Sequence, residues 1–171
     1  MTDDDLIAAL KTRRNVMSAP DGRAADPRPL LNDAQEAASR AALGFAPPPL
    51  LMRIYREVAN GGFGPGYGLM GLEGGWGAYR GMNAVQTYLW LREEDDGEDL
   101  QPGEALAPPE IGPGLLPICH MGCGIYTLVD CNSPDARLAT FDPANDDAPV
   151  QPLPTATLFE WLALWVEETA R

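Results

Sequence analysis

Apolar residues at Leu50, Leu51, Ile54, Tyr55 and Val58 fall on one side of a helical wheel, with Arg53, Arg56 and Glu57 on the other. That spacing predicts an amphipathic helix starting at the proline cluster Pro47-Pro48-Pro49 and stopping at Asn60-Gly61. Leu6, Ile7 and Leu10 give a second apolar face over Thr2 to Met17, with Asp3, Asp4 and Asp5 favourable in its first turn. Asn32 caps a short alanine-rich helix, with Gln35 at the capping-box position and Gly44 just past its end. Asn83 to Arg92 is apolar over a wide face through Val85, Tyr88, Leu89 and Trp90, so a well-buried helix is expected there. Thr157 and Glu160 form a capping box for a last helix, whose stripe is Leu158, Trp161, Leu162 and Trp165.

The period then changes to two. Leu115 to Met121 reads as a strand, and Pro117 argues for an edge or a bulge. Gly122-Cys123-Gly124 turns, Ile125 to Cys131 alternates, Asn132 to Asp135 turns again, and Arg137 to Phe141 is a third strand. Such a meander is antiparallel. The expected fold class is α+β: a single domain, helices packed around one antiparallel or mixed β-sheet. Residues 1–30 read as an N-terminal helix and linker that either join or flank a domain spanning 31–171. Glu98 to Gly114, rich in proline, is expected to be a long loop.

Between the amphipathic helix and the sheet lies a glycine run. Ala59 to Gly77 holds nine of the chain's 18 glycines, a density no ordinary helix or strand tolerates. Gly66 to Gly71 fits G-x-G-x-x-G, with Glu93 at a spacing suited to a ribose contact. A dinucleotide site needs a strand leading in and a helix leading out, because the helix N-terminus holds the pyrophosphate. Here a helix leads in, and Leu69 to Gly75 cannot start one. No G-K-[ST] follows, and Lys11 is the single lysine. The run reads as a loop turning a helix into a short apolar strand that ends at Leu72.

The same stretch carries a resemblance. Leu43-Gly44-Phe45, the proline cluster, LLMRIYREVANGGFGPGYGLMGL and the following Gly74-Gly75 resemble the signature of the SUKH superfamily. That group includes fungal cell-wall-assembly regulators and immunity proteins of bacterial polymorphic toxin systems. Leu116 to Tyr126 with Val129-Asp130-Cys131 is a second similar block, and Leu158 to Leu162 with Trp165 a third. Together they span about Leu43 to Val166. Met121 stands where the family often has Trp. The resemblance implies a protein–protein interaction domain, and in bacteria an immunity protein that binds a toxin, commonly a nuclease.

Composition and charge narrow the classes. With 171 residues and 45% hydrophobic content, the chain can bury its own core. It has no run of eighteen apolar residues, and its first residues lack the basic and apolar regions of a secretory signal. Three cysteines, odd in number and low in density, suit a reducing compartment. A soluble cytoplasmic protein is expected. The formal net charge of −13 repels phosphate backbones and anionic membranes, which argues against nucleic-acid and membrane partners, and attracts a basic protein. Glu93, Glu94, Asp95, Asp96, Glu98 and Asp99 concentrate that charge, either as a solvated loop or as a decoy for a basic cleft.

Cys119, His120, Cys123 and Cys131 are the candidates for chemistry. Four such ligands could suggest zinc, but Cys119 and His120 are neighbours in an extended segment and point to opposite faces. There is no C-x-x-C pair, and three thiols filling a core is the plainer reading. His120 is the single histidine, so any histidine chemistry would fall to it. Asp142 to Asp147 hints at calcium but lacks the glycine at position six and has Leu153 in place of the bidentate Glu. The expectation is a non-catalytic binding module with no catalytic, cofactor-binding or metal-binding residues. Trp76 and Tyr79, beside Phe63 and Tyr67, would anchor a basic protein partner, and Glu93 to Asp99 would steer it. For Phe63 and Tyr67, core packing is the stronger reading. The alternatives are an intracellular regulatory or scaffold domain without a toxin partner, and a metal-binding or thiol-dependent enzyme centred on residues 119–131.

Overall fold

Capping boxes start four of the five helices seen in the computed structural model, which describes residues 1–93 and 110–170. The helices are α1 (Asp3–Thr12), α2 (Asp33–Leu43), α3 (Pro49–Glu57), α4 (Ala84–Leu91) and α5 (Leu158–Glu168). Thr2, Asn32, Asn83 and Thr157 each accept from the backbone three residues on, and the residue there reaches back. α3 has no side-chain cap and begins on Pro49 instead. α1 ends at Thr12, short of the expected Met17, and Met17 instead bridges Gly64.

One antiparallel sheet runs in the order β1-β2-β3-β4, formed by Leu115–Gly122, Ile125–Asp130, Arg137–Phe141 and Val150–Thr157. The chain is an α+β domain, and the three strands of the expected meander are present. β4 was not foreseen, since Pro152 and Pro154 argue against a strand. It lies at the sheet's edge, where Pro152 pairs with Ala139 and Pro154 falls in the irregular stretch at which the register shifts between Arg137 and Ala139. Pro117 sits on the opposite edge strand beside a register shift between Pro117 and Cys119. Both readings of that proline therefore hold.

Glycine packing replaces the expected strand before the sheet. Leu69 forms an isolated bridge with Cys119, and Met70 N–H donates to the Ile118 carbonyl at 2.8 Å. Asn60 is buried at the centre of the loop. Its Oδ1 accepts from Leu72 N–H at 2.9 Å, and its Nδ2 donates to the Glu73 carbonyl at 3.1 Å. The backbone crosses so closely here that a Cβ on Gly71 or Gly75 would meet Asn60. The N–H groups of Tyr67, Gly68, Leu69, Met70 and Gly71 all donate to backbone carbonyls. None of the five remains for a phosphate, which adds a second ground to the one read from the sequence, that α3 rather than a strand leads in.

The first thirty residues pack onto this core. Leu6, Ile7 and Leu10 are buried with Leu51, Ile54, Leu162 and Trp165 in one cluster. The following arm is strapped to the glycine loop: Ser18 N–H donates to Gly64 O and Asp26 N–H to Gly62 O, at 3.0 and 2.8 Å. The Trp165 indole N–H closes the strap on Ser18 Oγ at 2.9 Å.

Candidate functional site

Register brings three rings into one row across the sheet. His120 pairs with Tyr126 across β1 and β2, and Tyr126 pairs with Phe141 across β2 and β3. Directly paired residues share a face, so the rings follow one another at centroid separations of 5.1 and 6.5 Å. Tyr126 and Phe141 are buried and form the floor of an open cleft of about 490 Å³. Its walls come from elsewhere in the chain. Leu91 and Trp90 project from the end of α4, Tyr79 from a 3-10 turn (Tyr79–Gly81), Cys123 and Gly124 from the β1–β2 turn, and Pro143 from beyond β3. Glu110 completes the wall, its N–H bonded to the Leu91 carbonyl at 3.1 Å.

His120 is the hub of the rings. Tyr67, Tyr79 and Tyr126 lie around it with centroids 5.5, 6.2 and 5.1 Å away. Tyr79 in turn stacks on Trp90 at 6.1 Å, with 27° between the planes. Offset stacking of this kind adds about 0.5–1.5 kcal/mol beyond the area covered. Yet Tyr79 and Trp90 remain 42% and 43% exposed. Backbone is held in the left-handed region on both sides, at Arg80 (φ 55°) and Cys123 (φ 53°). A non-glycine residue there costs about 1 kcal/mol, and such strain gathers where a side chain must be aimed.

Two polar atoms of the cleft are unsatisfied. The His120 Nε2 and the Tyr126 hydroxyl are buried and have no hydrogen-bond partner among the described residues. Burial pushes the His120 imidazole below its ordinary range, toward the neutral form. Burial first, and the neighbouring Tyr79 second, push the Tyr126 phenol up. Both groups therefore stand uncharged at neutral pH.

The thiols separate into different surroundings. Cys119 is fully buried, its Sγ donating to the Pro65 carbonyl at 3.2 Å, on the side of β1 away from the His120 ring. Burial pushes its pKa up to about 12. Cys131 is half-buried, and burial and then Asp130 push it up to about 12 as well. Thiols held this far from ionisation are poor nucleophiles and poor metal ligands. Cys123 is exposed, which corrects the expectation of three buried thiols. Among the described residues, no group of three or more His, Cys, Asp or Glu side chains is placed to hold a metal ion.

No protein-family model, no curated protein and no solved structure matches the chain.

The anchors expected from the sequence are divided. Tyr79 is exposed at the cleft. Trp76 is buried, 6% exposed, because the backbone around it is tied inward: its N–H donates to Asn60 O, and its carbonyl accepts from Gly71 N–H. It is not available at the surface. Phe63 is fully buried and Tyr67 half-buried, in keeping with the packing reading. Glu93 is exposed at the end of α4, while Glu94, Asp95, Asp96, Glu98 and Asp99 lie outside the described residues. Trp90 was missed. It was expected on the wide buried face of its helix with Val85, Tyr88 and Leu89, but α4 buries Ala84, Val85, Tyr88 and Leu91 and leaves Leu89 and Trp90 out. The signal was in the spacing, because residues one and two beyond Tyr88 fall off the stripe it shares with Leu91.

Proposed function

We propose that the protein is a non-catalytic binding module that engages a basic protein partner through the face carrying Tyr79 and Trp90. The observation that carries this reading is the pair itself: two large aromatic rings, stacked and more than two-fifths exposed, at the lip of an apolar cleft. Exposed aromatics around a pocket have the composition of a binding hot spot. The formal charge of −13 supplies the complementary half, drawing a cationic partner and repelling an anionic one. The resemblance in the glycine run and in Leu116 to Tyr126 supports a narrower version, in which the module is an immunity protein and the partner a toxin domain. No described helix is long and apolar enough to cross a membrane.

The test is co-purification from the native cell, then titration of the recombinant partner against wild type, Tyr79→Ala and Trp90→Ala. The expected result is a basic partner whose binding weakens with both substitutions and whose association slows as salt is raised. A tight partner indifferent to both substitutions would remove this face from the function. A toxin partner would additionally lose its toxicity in cells that co-express the protein.

A further inference from the structure

The cleft has a chemical preference that follows from its lining. Tyr126 is 1% exposed, yet its hydroxyl and the adjacent His120 Nε2 lack partners among the described residues, and both side chains face the cavity wall. With the imidazole neutral, a ring nitrogen accepts a hydrogen bond, and the phenol oxygen accepts as well. The described lining includes one carboxylate, Glu110, and no lysine or arginine. Trp90 and Tyr79 add exposed π faces, which attract cations. Acceptors, a carboxylate and ring faces together call for a planar, cationic group that only donates.

The rings of this surface already hold groups of that kind. The Arg80 guanidinium lies 5.4 Å from the centre of the Tyr79 ring, and that of Arg23 lies 5.7 Å from the centre of Tyr67. Both arginines line a neighbouring recess with Asp21 rather than the cleft itself. A lysine would offer a point charge with a strongly held water shell, whereas a guanidinium stacks flat and donates in several fixed directions at once.

We propose that the cleft receives an arginine side chain of the partner, stacked against Trp90 and Tyr79 and donating to the Tyr126 hydroxyl, His120 Nε2 and Glu110. This rests on the protein-binding reading above and names its chemistry. The test uses the isotopically labelled full chain with three probes at matched ionic strength: N-acetyl-arginine methylamide, N-acetyl-lysine methylamide and N-acetyl-phenylalanine methylamide. The arginine probe is expected to give saturable NMR shifts at the Trp90 indole N–H and the His120 ring, with a Kd of about 1–30 mM for so small a ligand. It should bind at least about fivefold more tightly than the lysine probe. Tyr126→Phe should weaken it about threefold or more with the rest of the spectrum unchanged, and Trp90→Ala, at an exposed position, should do the same. Equal binding of lysine and arginine, tighter binding of phenylalanine, or no saturable shift at Trp90 overturns the proposal. The two readings fail separately. A basic partner that binds this face while the arginine probe does not leaves the binding module and removes the arginine site. A probe that binds when no basic partner exists does the reverse.

Discussion

Tyr79 and Trp90 stack with ring centres 6.1 Å apart although one comes from a 3-10 turn and the other from the last turn of α4. Each ring limits the motion of its neighbour, so the pair is set in place before any partner arrives. Preorganisation of this kind lowers the entropic cost of binding.

Tyr79→Ala and Trp90→Ala should each lower stability by about 1–2 kcal/mol, the lost stacking plus the covered part of the ring, and less than a core truncation would. Each should weaken binding of the basic partner about tenfold or more. Urea denaturation and calorimetric titration check the two halves separately. A variant that unfolds readily and binds normally would show these rings to be structural.

His120 gives a pH dependence of stability with a defined sign. Its folded-state pKa lies below the ordinary 6.5 because burial disfavours the charged ring. The unfolded chain then binds more protons between the two values, so stability is full above about pH 6.5 and declines as pH falls through the folded value. The carboxylates act lower. The hydrogen bond from Arg53 holds Glu57 below its usual 4.5, and bonds from Thr2 lower Asp5, so their contribution is lost only in stronger acid. The urea midpoint should fall between pH 7 and 5.5 in wild type and stay flatter in His120→Gln. The proposed guanidinium contact should weaken over the same interval, since a protonated imidazole repels it.

Asn60 ties the glycine loop together through two side-chain hydrogen bonds made in the core. Asn60→Ala leaves Leu72 N–H and the Glu73 carbonyl without these partners and should cost about 3 kcal/mol. Gly62→Ala should be comparably harmful. Gly62 has φ +88°, and a Cβ there would collide with the Asp26 carbonyl oxygen. Thermal unfolding of both variants checks this, and a Tm within a degree or two of wild type for either would contradict the packing described.

Alkylation should distinguish the three thiols. Cys119 and Cys131 are held protonated by burial, with pKa values pushed up to about 12, whereas Cys123 is exposed on the β1–β2 turn. Iodoacetamide at pH 8 should add a single group to the native protein, at Cys123, and three after denaturation. Intact mass followed by peptide mapping gives the count. Early reaction at Cys119 would mean that the glycine loop opens from β1.

Local order was legible because its causes are local. The apolar stripe of α3, the caps at Asn32 and Thr157, and the alternation of Ile125 to Cys131 each act within a few residues. β4 escaped because its prolines oppose a strand, and only its position at the sheet's edge, with a register shift around Pro154, makes them harmless.

The site divides along the same line. Residue types and spacing marked His120 as the single histidine and Tyr79 as an aromatic beside the glycines, and the charge alone pointed to a cationic partner. Which tryptophan is buried was a tertiary matter. Trp76 is drawn inward by its backbone bonds to Asn60 and Gly71, while Trp90 is turned outward by the way α4 seats Tyr88 and Leu91. Strand register, fixed only when β1, β2 and β3 pair, brings His120, Tyr126 and Phe141 into one row beneath rings from distant parts of the chain. A cleft made by long-range pairing has no signature within any one segment, because the contacts that define it exist only after folding.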